Sequence, residues 1–329
     1  MESEWRWSEG MCEEWRVWRS NPSSQNCIVF FGFLCYNILR DTDVLLGNGA
    51  ECWMPLSNFQ SKRRINMHFT KMHGLGNDYL YVYGEVPSNI KELSTKLSER
   101  HFGVGSDGMI YISPSAVADF KMRVFNADGS EAKMCGNGIR CVGKYVYDKG
   151  YTNKKTLTVE TLSGIKTLEL VVRLGKVGSV TVDMGQAIPA DDMTLHMDSE
   201  TVGLTPVSIG NPHAVLFVDD IEKAPLTTLG PMIEHHKAFP DGVNVEFVQV
   251  LGARELRMRV WERGSGVTLA CVTGACAVAV AAVKKKYCAE GEPIAVHLDG
   301  GTLEITVWPG NKITMTGPAE FVYEGETID

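Results

Sequence analysis

Residues 121–138 read KMRVFNADGSEAKMCGNG, and residues 257–274 read RMRVWERGSGVTLACVTG. Each opens on a basic residue, then Met-Arg-Val, then an aromatic. Thirteen residues separate Met122 from Cys135, and thirteen separate Met258 from Cys271. Glycine follows each cysteine three positions on (Gly138, Gly274), and a helical pattern follows the glycine. Further upstream, Asn77 of Gly76-Asn77 lies 58 residues before Cys135, and Asn211 of Gly210-Asn211 lies 60 before Cys271. Each pair leads into a strand-like run. Three landmarks in one register mark an internal repeat. The chain therefore reads as two homologous α/β halves facing each other about a pseudo-two-fold axis. That arrangement brings Cys135 and Cys271 to opposite walls of one cleft.

The flanking segments fit this reading. LTVETLSGIKTLELVVRLGKVGSVTVDMG (157–185), PVSIGNPHAVLFVDD (206–220) and GGTLEITVWPGNKITMTGPAEFVYEGE (300–326) are apolar runs broken by glycine turns, the pattern of strands. Ile139, Val142 and Val146 share one helical face, predicting a helix over 138–148 with Gly150 as its stop. Residues 274–286 predict a second helix, apolar nearly all round and hence buried. Lys284, Lys285 and Lys286 would complement its C-terminal dipole.

Composition narrows the function classes. The 329 residues are 44% hydrophobic and 22% charged, enough for a sizeable core, and the formal net charge of -8 gives no basic footprint for nucleic acid or an anionic membrane. Nine cysteines without a CxxC pair suggest neither a disulfide framework nor a zinc site, so no metal is expected. They fit a reducing, cytoplasmic location. Cys12, Cys27, Cys35, Cys52 and Cys288 carry no chemical signal, and Cys141 and Cys276 read as small packing residues within the helices.

Residues 1–66 stand apart. They hold five of the seven tryptophans and four cysteines and show no clean period. The apolar run Cys27–Leu39 is too short to span a bilayer. Early glutamates (Glu2, Glu4, Glu9) oppose a signal or transit peptide. The globular pattern begins at Met67, which is the expected functional start, with 1–66 as an atypical N-terminal extension outside the catalytic fold.

A cysteine before a helix has chemical consequences. The helix N-terminus carries unpaired N–H groups and about half a positive charge, which favours thiolate and binds carboxylate. Between two such termini an α-amino acid lies with its carboxylate on the dipoles and its α-carbon between two sulfurs. One thiolate takes the α-proton while the opposite thiol returns one to the other face, inverting the centre. The N–H groups stabilise the enolate-like charge that develops. No lysine sits in a Schiff-base context, and HGLGND lacks the spacing of a phosphate or dinucleotide loop, so no cofactor is expected.

FTKMHGLGND, FNADGSEAKMCGNGIRC, GNPH, NVEFV and ERGSGVTLACVTGACA together resemble the diaminopimelate epimerase family over about residues 68–325. The resemblance implies a diaminopimelate epimerase-like fold of class α/β (α+β): two pseudo-symmetric domains, each a mostly antiparallel sheet wrapped around a central helix. The N-terminal half would cover 67–182 plus a returning segment 317–329, and the C-terminal half 183–316. It further implies pyridoxal-phosphate-independent interconversion of LL- and meso-diaminopimelate, a precursor of lysine and peptidoglycan, with Cys135 and Cys271 as the two bases. Asn77, Asn126, Asn211, Asn244, Glu262 and Arg263 would contact substrate, while Gly136, Asn137, Val272 and Thr273 present N–H groups to the reacting carboxylate. His213 and Glu262 fall where the family keeps polar groups near the bases. A homodimer is implied.

The sequence departs from the family at three places. Position 272 is Val where the motif usually has Gly, and Gly136 holds the matching place in the first half. A positive φ there would strain a β-branched residue, so impaired or altered catalysis is expected. Val267 stands where Glu is common, and Gly108 where some members use Gln. The alternatives are another cofactor-independent racemase or isomerase of the same fold, a catalytically impaired paralogue because of Val272 and Val267, or a thiol redox protein using Cys135 and Cys271.

Overall fold

The computed structural model describes residues 67–197 and 201–327. The chain divides into two units, Met1–Arg63 and Arg64–Asp329, and every described residue belongs to the second. The expectations for residues 1–66, including the start at Met67 and the inert Cys12, Cys27, Cys35 and Cys52, lie outside the described residues.

The first repeat runs β1 (His68–Gly74), β2 (Asn77–Tyr83), α1 (Ile90–Ser98), β3 (Gly108–Ser113), β4 (Phe120–Asn126), β5 (Glu131–Ala132), α2 (Gly136–Asp148), β6 (Thr156–Thr161), β7 (Gly164–Arg173) and β8 (Lys176–Gln186). Two short strands follow, β9 (Ile188–Pro189) and β10 (Met193–His196). The second repeat runs β11 (Thr201–Ser208), β12 (Pro212–Phe217), a 3-10 turn (Ile221–Lys223), α3 (Leu226–Glu234), β13 (Asn244–Gly252), β14 (Glu255–Glu262), β15 (Gly266–Thr268), α4 (Val272–Lys284), β16 (Pro293–Leu298), β17 (Gly301–Trp308) and β18 (Lys312–Pro318). A last strand, β19 (Glu320–Glu326), pairs antiparallel with β1.

The ladders repeat as faithfully as the order. β1 pairs antiparallel with β2, β2 parallel with β3, β3 antiparallel with β4 and β4 parallel with β6. The second half pairs β11 with β12, β12 parallel with β13, β13 with β14 and β14 parallel with β16. These four parallel pairings sit at matching places, and the other ladders are antiparallel. The sixth, seventh and eighth strands of each half continue as antiparallel neighbours, and β8 pairs antiparallel with its own counterpart β18. The halves are therefore stitched together at the strands related by the pseudo-two-fold.

Alternation explains the sheet. In β7 Leu168 and Leu170 point inward between exposed residues, and in β8 Val177, Val180, Val182 and Met184 do so. This is the half-buried antiparallel pattern. What the inward faces cover is a helix: α2 packs on β1, β2, β7 and β8, and α4 on β11, β12, β13, β14, β16 and β17. α4 is apolar on all sides because sheet surrounds it, and each fully buried Val there adds about 1.5–3 kcal/mol.

Both central helices start two residues earlier than apolar spacing indicates, at Gly136 and Val272. The reason is the cysteine. Each occupies the N-cap with extended backbone, and its sulfur accepts the N–H of the third helical residue, Gly138 (3.3 Å) or Gly274 (3.4 Å). Helix α4 also ends sooner than expected. Lys285 caps it and Lys286 takes φ +62°, so of the three lysines only Lys284 lies inside the helix. Lys284 and Lys285 instead pair with Asp192.

Candidate active site

The two N-termini meet. A Cβ built on Gly136 would lie 2.7 Å from Val272 Cγ1 and 2.8 Å from Val272 Cβ, so the Val272 side chain rests directly on the Gly136 backbone. One residue further, Asn137 Nδ2 donates to the Ala270 carbonyl (3.1 Å), linking α2 to the residue before Cys271. Asn137 is itself held by Arg140, whose Nη2 donates to Asn137 Oδ1 (2.8 Å). Arg140 is fully buried and also donates to the carbonyls of Gly136 (3.1 Å) and Pro318 (3.0 Å). Glycine at 74 and at 317 leaves room for its guanidinium: a Cβ at either place would come within 2.7 or 3.0 Å of it.

The strain expected at Val272 is absent. Val272 is not among the residues with positive φ; it is the first residue of α4, 4% exposed. Its bulk is spent on filling the gap to Gly136. Gly136 is not a positive-φ residue either. Gly108 also has a steric basis, since a Cβ there would lie 2.1 Å from the Phe125 carbonyl oxygen. Val267 is exposed on β15, opposite Trp261.

Around Cys135 the first half assembles Asn77, whose Oδ1 accepts from the thiol (3.4 Å), and Tyr79, which sequence reasoning passed over. Burial pushes the Cys135 thiol up, while the Gly138 N–H, the Tyr79 hydroxyl and the Arg140 charge pull it back. Around Cys271 the second half assembles Thr273 (Sγ to Oγ1, 3.6 Å), Asn211, which donates to Thr273 Oγ1 (3.2 Å), and His213, whose Nε2 lies 3.1 Å from Asn211 Oδ1. His213 Nδ1 lies 2.6 Å from Glu246 Oε1, and both side chains are completely buried. The other Glu246 oxygen, also buried, has no hydrogen-bond partner among the described residues. Burial, then the Glu262 and Glu246 carboxylates, push the Cys271 thiol far up. Glu262, raised by its own burial, accepts from the Thr268 hydroxyl.

The remaining residues are more dispersed. Asn244 accepts the Arg263 backbone N–H at Oδ1 (3.0 Å) and donates to the Pro212 carbonyl (3.1 Å), tying β13 to the turn after β14. The Arg263 side chain is exposed, donates to the Asp241 carbonyl (2.9 Å) and lines a cavity of about 410 Å³ with Lys237 and Asp241. The Asn126 side chain bonds locally, donating to Ser130 Oγ (3.0 Å), while its carbonyl accepts from the Ser94 hydroxyl of α1 (2.9 Å). Tyr79 follows Asn77 by two residues just as His213 follows Asn211, a spacing that identifies it from the repeat. Glu246 and Arg140 carry no comparable signal. Among the described residues no three His, Cys, Asp or Glu side chains cluster as a metal site.

The comparisons with known proteins agree with this architecture. A related diaminopimelate epimerase from Methanococcus maripaludis is 52% identical over 277 residues, covering 79% of this chain and 99% of the relative. The diaminopimelate epimerases of Acetivibrio thermocellus and Geobacillus thermodenitrificans are 52% and 50% identical, over 79% and 78% of this chain and 98% and 95% of theirs. Among solved structures, a phenazine biosynthesis protein of the PhzF family from Bacillus anthracis superposes with a TM-score of 0.65 at 16% identity, covering 80% of this chain and 99% of that one. A probable proline racemase from Agrobacterium radiobacter gives 0.62 at 17%, covering 80% and 93%. These two share the fold. The family description "Diaminopimelate epimerase" matches residues 69–189 and 205–322, both halves of the repeat, and the chain belongs to the diaminopimelate epimerase family.

Proposed function

We propose that the protein interconverts LL- and meso-2,6-diaminopimelate without a cofactor, using Cys135 and Cys271 as a thiolate–thiol pair. The observation that carries this reading is the meeting of two helix N-termini, each capped by a cysteine sulfur. The reacting carboxylate sits on the first-turn N–H groups of Gly136, Asn137, Val272 and Thr273. One sulfur removes the α-proton, the electron pair passes into the carboxylate as an enolate, and the opposite S–H delivers a proton to the other face. The helix dipoles stabilise that charge without reorganising. Asn77, Asn126, Asn211, Asn244, Glu262 and Arg263 hold the substrate, chiefly its distal amino-acid end, and His213 assists at Cys271.

The assignment of substrate follows from the relatives, three of which are about 50% identical and named diaminopimelate epimerases. The protein works as a cytoplasmic homodimer in the supply of meso-diaminopimelate and lysine, and residues 67–329 suffice for activity, with halves at 67–182 (plus 317–329) and 183–316. Purified protein given LL-diaminopimelate and a thiol reductant, with no added cofactor, should form meso-diaminopimelate by chiral chromatography. Turnover of proline or another single-headed amino acid in its place would instead favour a different racemase of this fold. No turnover of either kind, with both thiols reduced, would identify an impaired paralogue.

A further inference from the structure

The repeat is broken at the two asparagines beside the sulfurs. Asn77 and Asn211 are counterparts, as are Tyr79 and His213, because β2 and β12 meet their parallel neighbours in the same register. By that register Gly108 corresponds to Asn244, and the residues before them are Asp107 and the buried Val243. A carboxylate thus stands in the first half where the second has a hydrocarbon.

Asp107 is tied on every side. Its Oδ2 accepts from Asn77 Nδ2 (2.7 Å) and from the Asp78 N–H (3.1 Å), and its Oδ1 accepts from Arg100 Nη2 (2.7 Å). Arg100 and Lys71 also pair with Asp78, at 3.0 and 2.8 Å. An ionised carboxylate only accepts hydrogen bonds, so the Asn77 amide must turn its nitrogen to Asp107. Its oxygen then faces Cys135 Sγ at 3.4 Å. An oxygen there accepts from S–H and repels a thiolate. Asn211 is turned the other way: its oxygen meets His213 and its nitrogen points along Thr273 toward Cys271.

We propose that Asp107 is a positioning residue that, by fixing the face of the Asn77 amide, holds Cys135 as a protonated thiol. In the direction in which Cys135 is the acid of the pair, the proton it delivers is the one this arrangement holds on the sulfur. That catalytic consequence rests on the epimerase reading, whereas the protonation of Cys135 can be tested without the reaction. The titratable groups facing Cys135 are Tyr79 and Tyr81 of β2 and Arg140 and Cys141 of α2. Those facing Asp107 and its partners are Arg100, Asp78, Tyr79 and Lys71.

The test is peptide-resolved alkylation of Cys135 by iodoacetamide as a function of pH, on the full chain. In Asp107→Ala the acceptor that holds Asn77 Nδ2 is gone, so the amide is free to turn and Nδ2 donates to the sulfur. The apparent pKa of Cys135 alkylation should fall by about one to two pH units, the size of one charge-assisted hydrogen bond. Asn77→Ala, which leaves the Arg100–Asp107 pair in place, should give a smaller fall. Adding Asp107→Ala to Asn77→Ala should then change nothing further. An unchanged profile in Asp107→Ala would overturn the proposal. So would a fall that persists in the Asn77→Ala background, which is the mark of a through-space charge, or a rise in Asn77→Ala alone. Epimerase turnover enters none of these outcomes.

Discussion

Replacing Gly136 with Ala puts a methyl group 2.7 Å from Val272 Cγ1, 2.8 Å from its Cβ and 3.1 Å from its Cγ2. Relaxed carbon contacts lie at about 3.5–4.0 Å, so the helix termini must part by roughly 1 Å. Overpacking of this kind costs about 1–3 kcal/mol. Val272→Ala would not relieve it, because the Val272 Cβ remains; only Val272→Gly removes all three contacts. Val272→Gly alone forfeits three buried carbons, about 2.4 kcal/mol at ~0.8 per carbon, plus roughly 0.5–1 kcal/mol for glycine. Placing Gly136→Ala on the Val272→Gly background should therefore cost nearly nothing, leaving a coupling of about 1–3 kcal/mol. Urea unfolding of the four proteins measures the cycle. Additivity within about 0.5 kcal/mol would refute the contact and the reason given for glycine at 136.

Other expectations follow from the same geometry. Arg140→Met should destabilise the fold by about 3–5 kcal/mol, because it strands the Gly136 and Pro318 carbonyls and Asn137 Oδ1 in the core; thermal unfolding reads it. Both thiols are raised in the folded protein, Cys271 further than Cys135, so thiolate appears only as pH climbs through those values. Alkylation should accelerate with pH at both, with Cys135 leading Cys271 throughout; equal profiles would contradict the role of Glu262 and Glu246 around Cys271. Asn244→Ala removes the acceptor for the Arg263 N–H, and steady-state kinetics should show KM raised roughly tenfold, as expected for loss of one charge-independent hydrogen bond's worth of alignment, about 1 kcal/mol or somewhat more.

The repeat was legible because its landmarks are local. Met-Arg-Val, Cys-x-x-Gly and Gly-Asn sit at spacings that survive in one dimension, and they locate β4, β14, the N-caps of α2 and α4, and the starts of β2 and β12. The helices start two residues before their apolar periodicity because cysteine, not an expected capping residue, caps them; only the sulfur accepting from Gly138 and Gly274 shows it acting as one. The short helices α1 and α3, nine residues each, leave too weak a period to stand out between stronger strand signals. Val272 departs from the expectation for a more instructive reason. Glycine at the matching position suggests a φ requirement, whereas Gly136 is small because Val272 leans on it. A contact spanning two halves leaves no mark in either segment. The same holds for Glu246, which lies at a buried position of a strand with no sign of His213 beside it in sequence, and for Arg140, whose partner carbonyl belongs to Pro318.

Hydrogen exchange at the α-carbon of LL-diaminopimelate in deuterium oxide, followed by NMR under reducing conditions, tests the two-cysteine account most directly. The intact protein should wash deuterium into the α-position of both LL- and meso-diaminopimelate, and Cys135→Ala and Cys271→Ala should each stop net epimerisation. Undiminished epimerisation in either variant would contradict the assignment of the two cysteines as the bases.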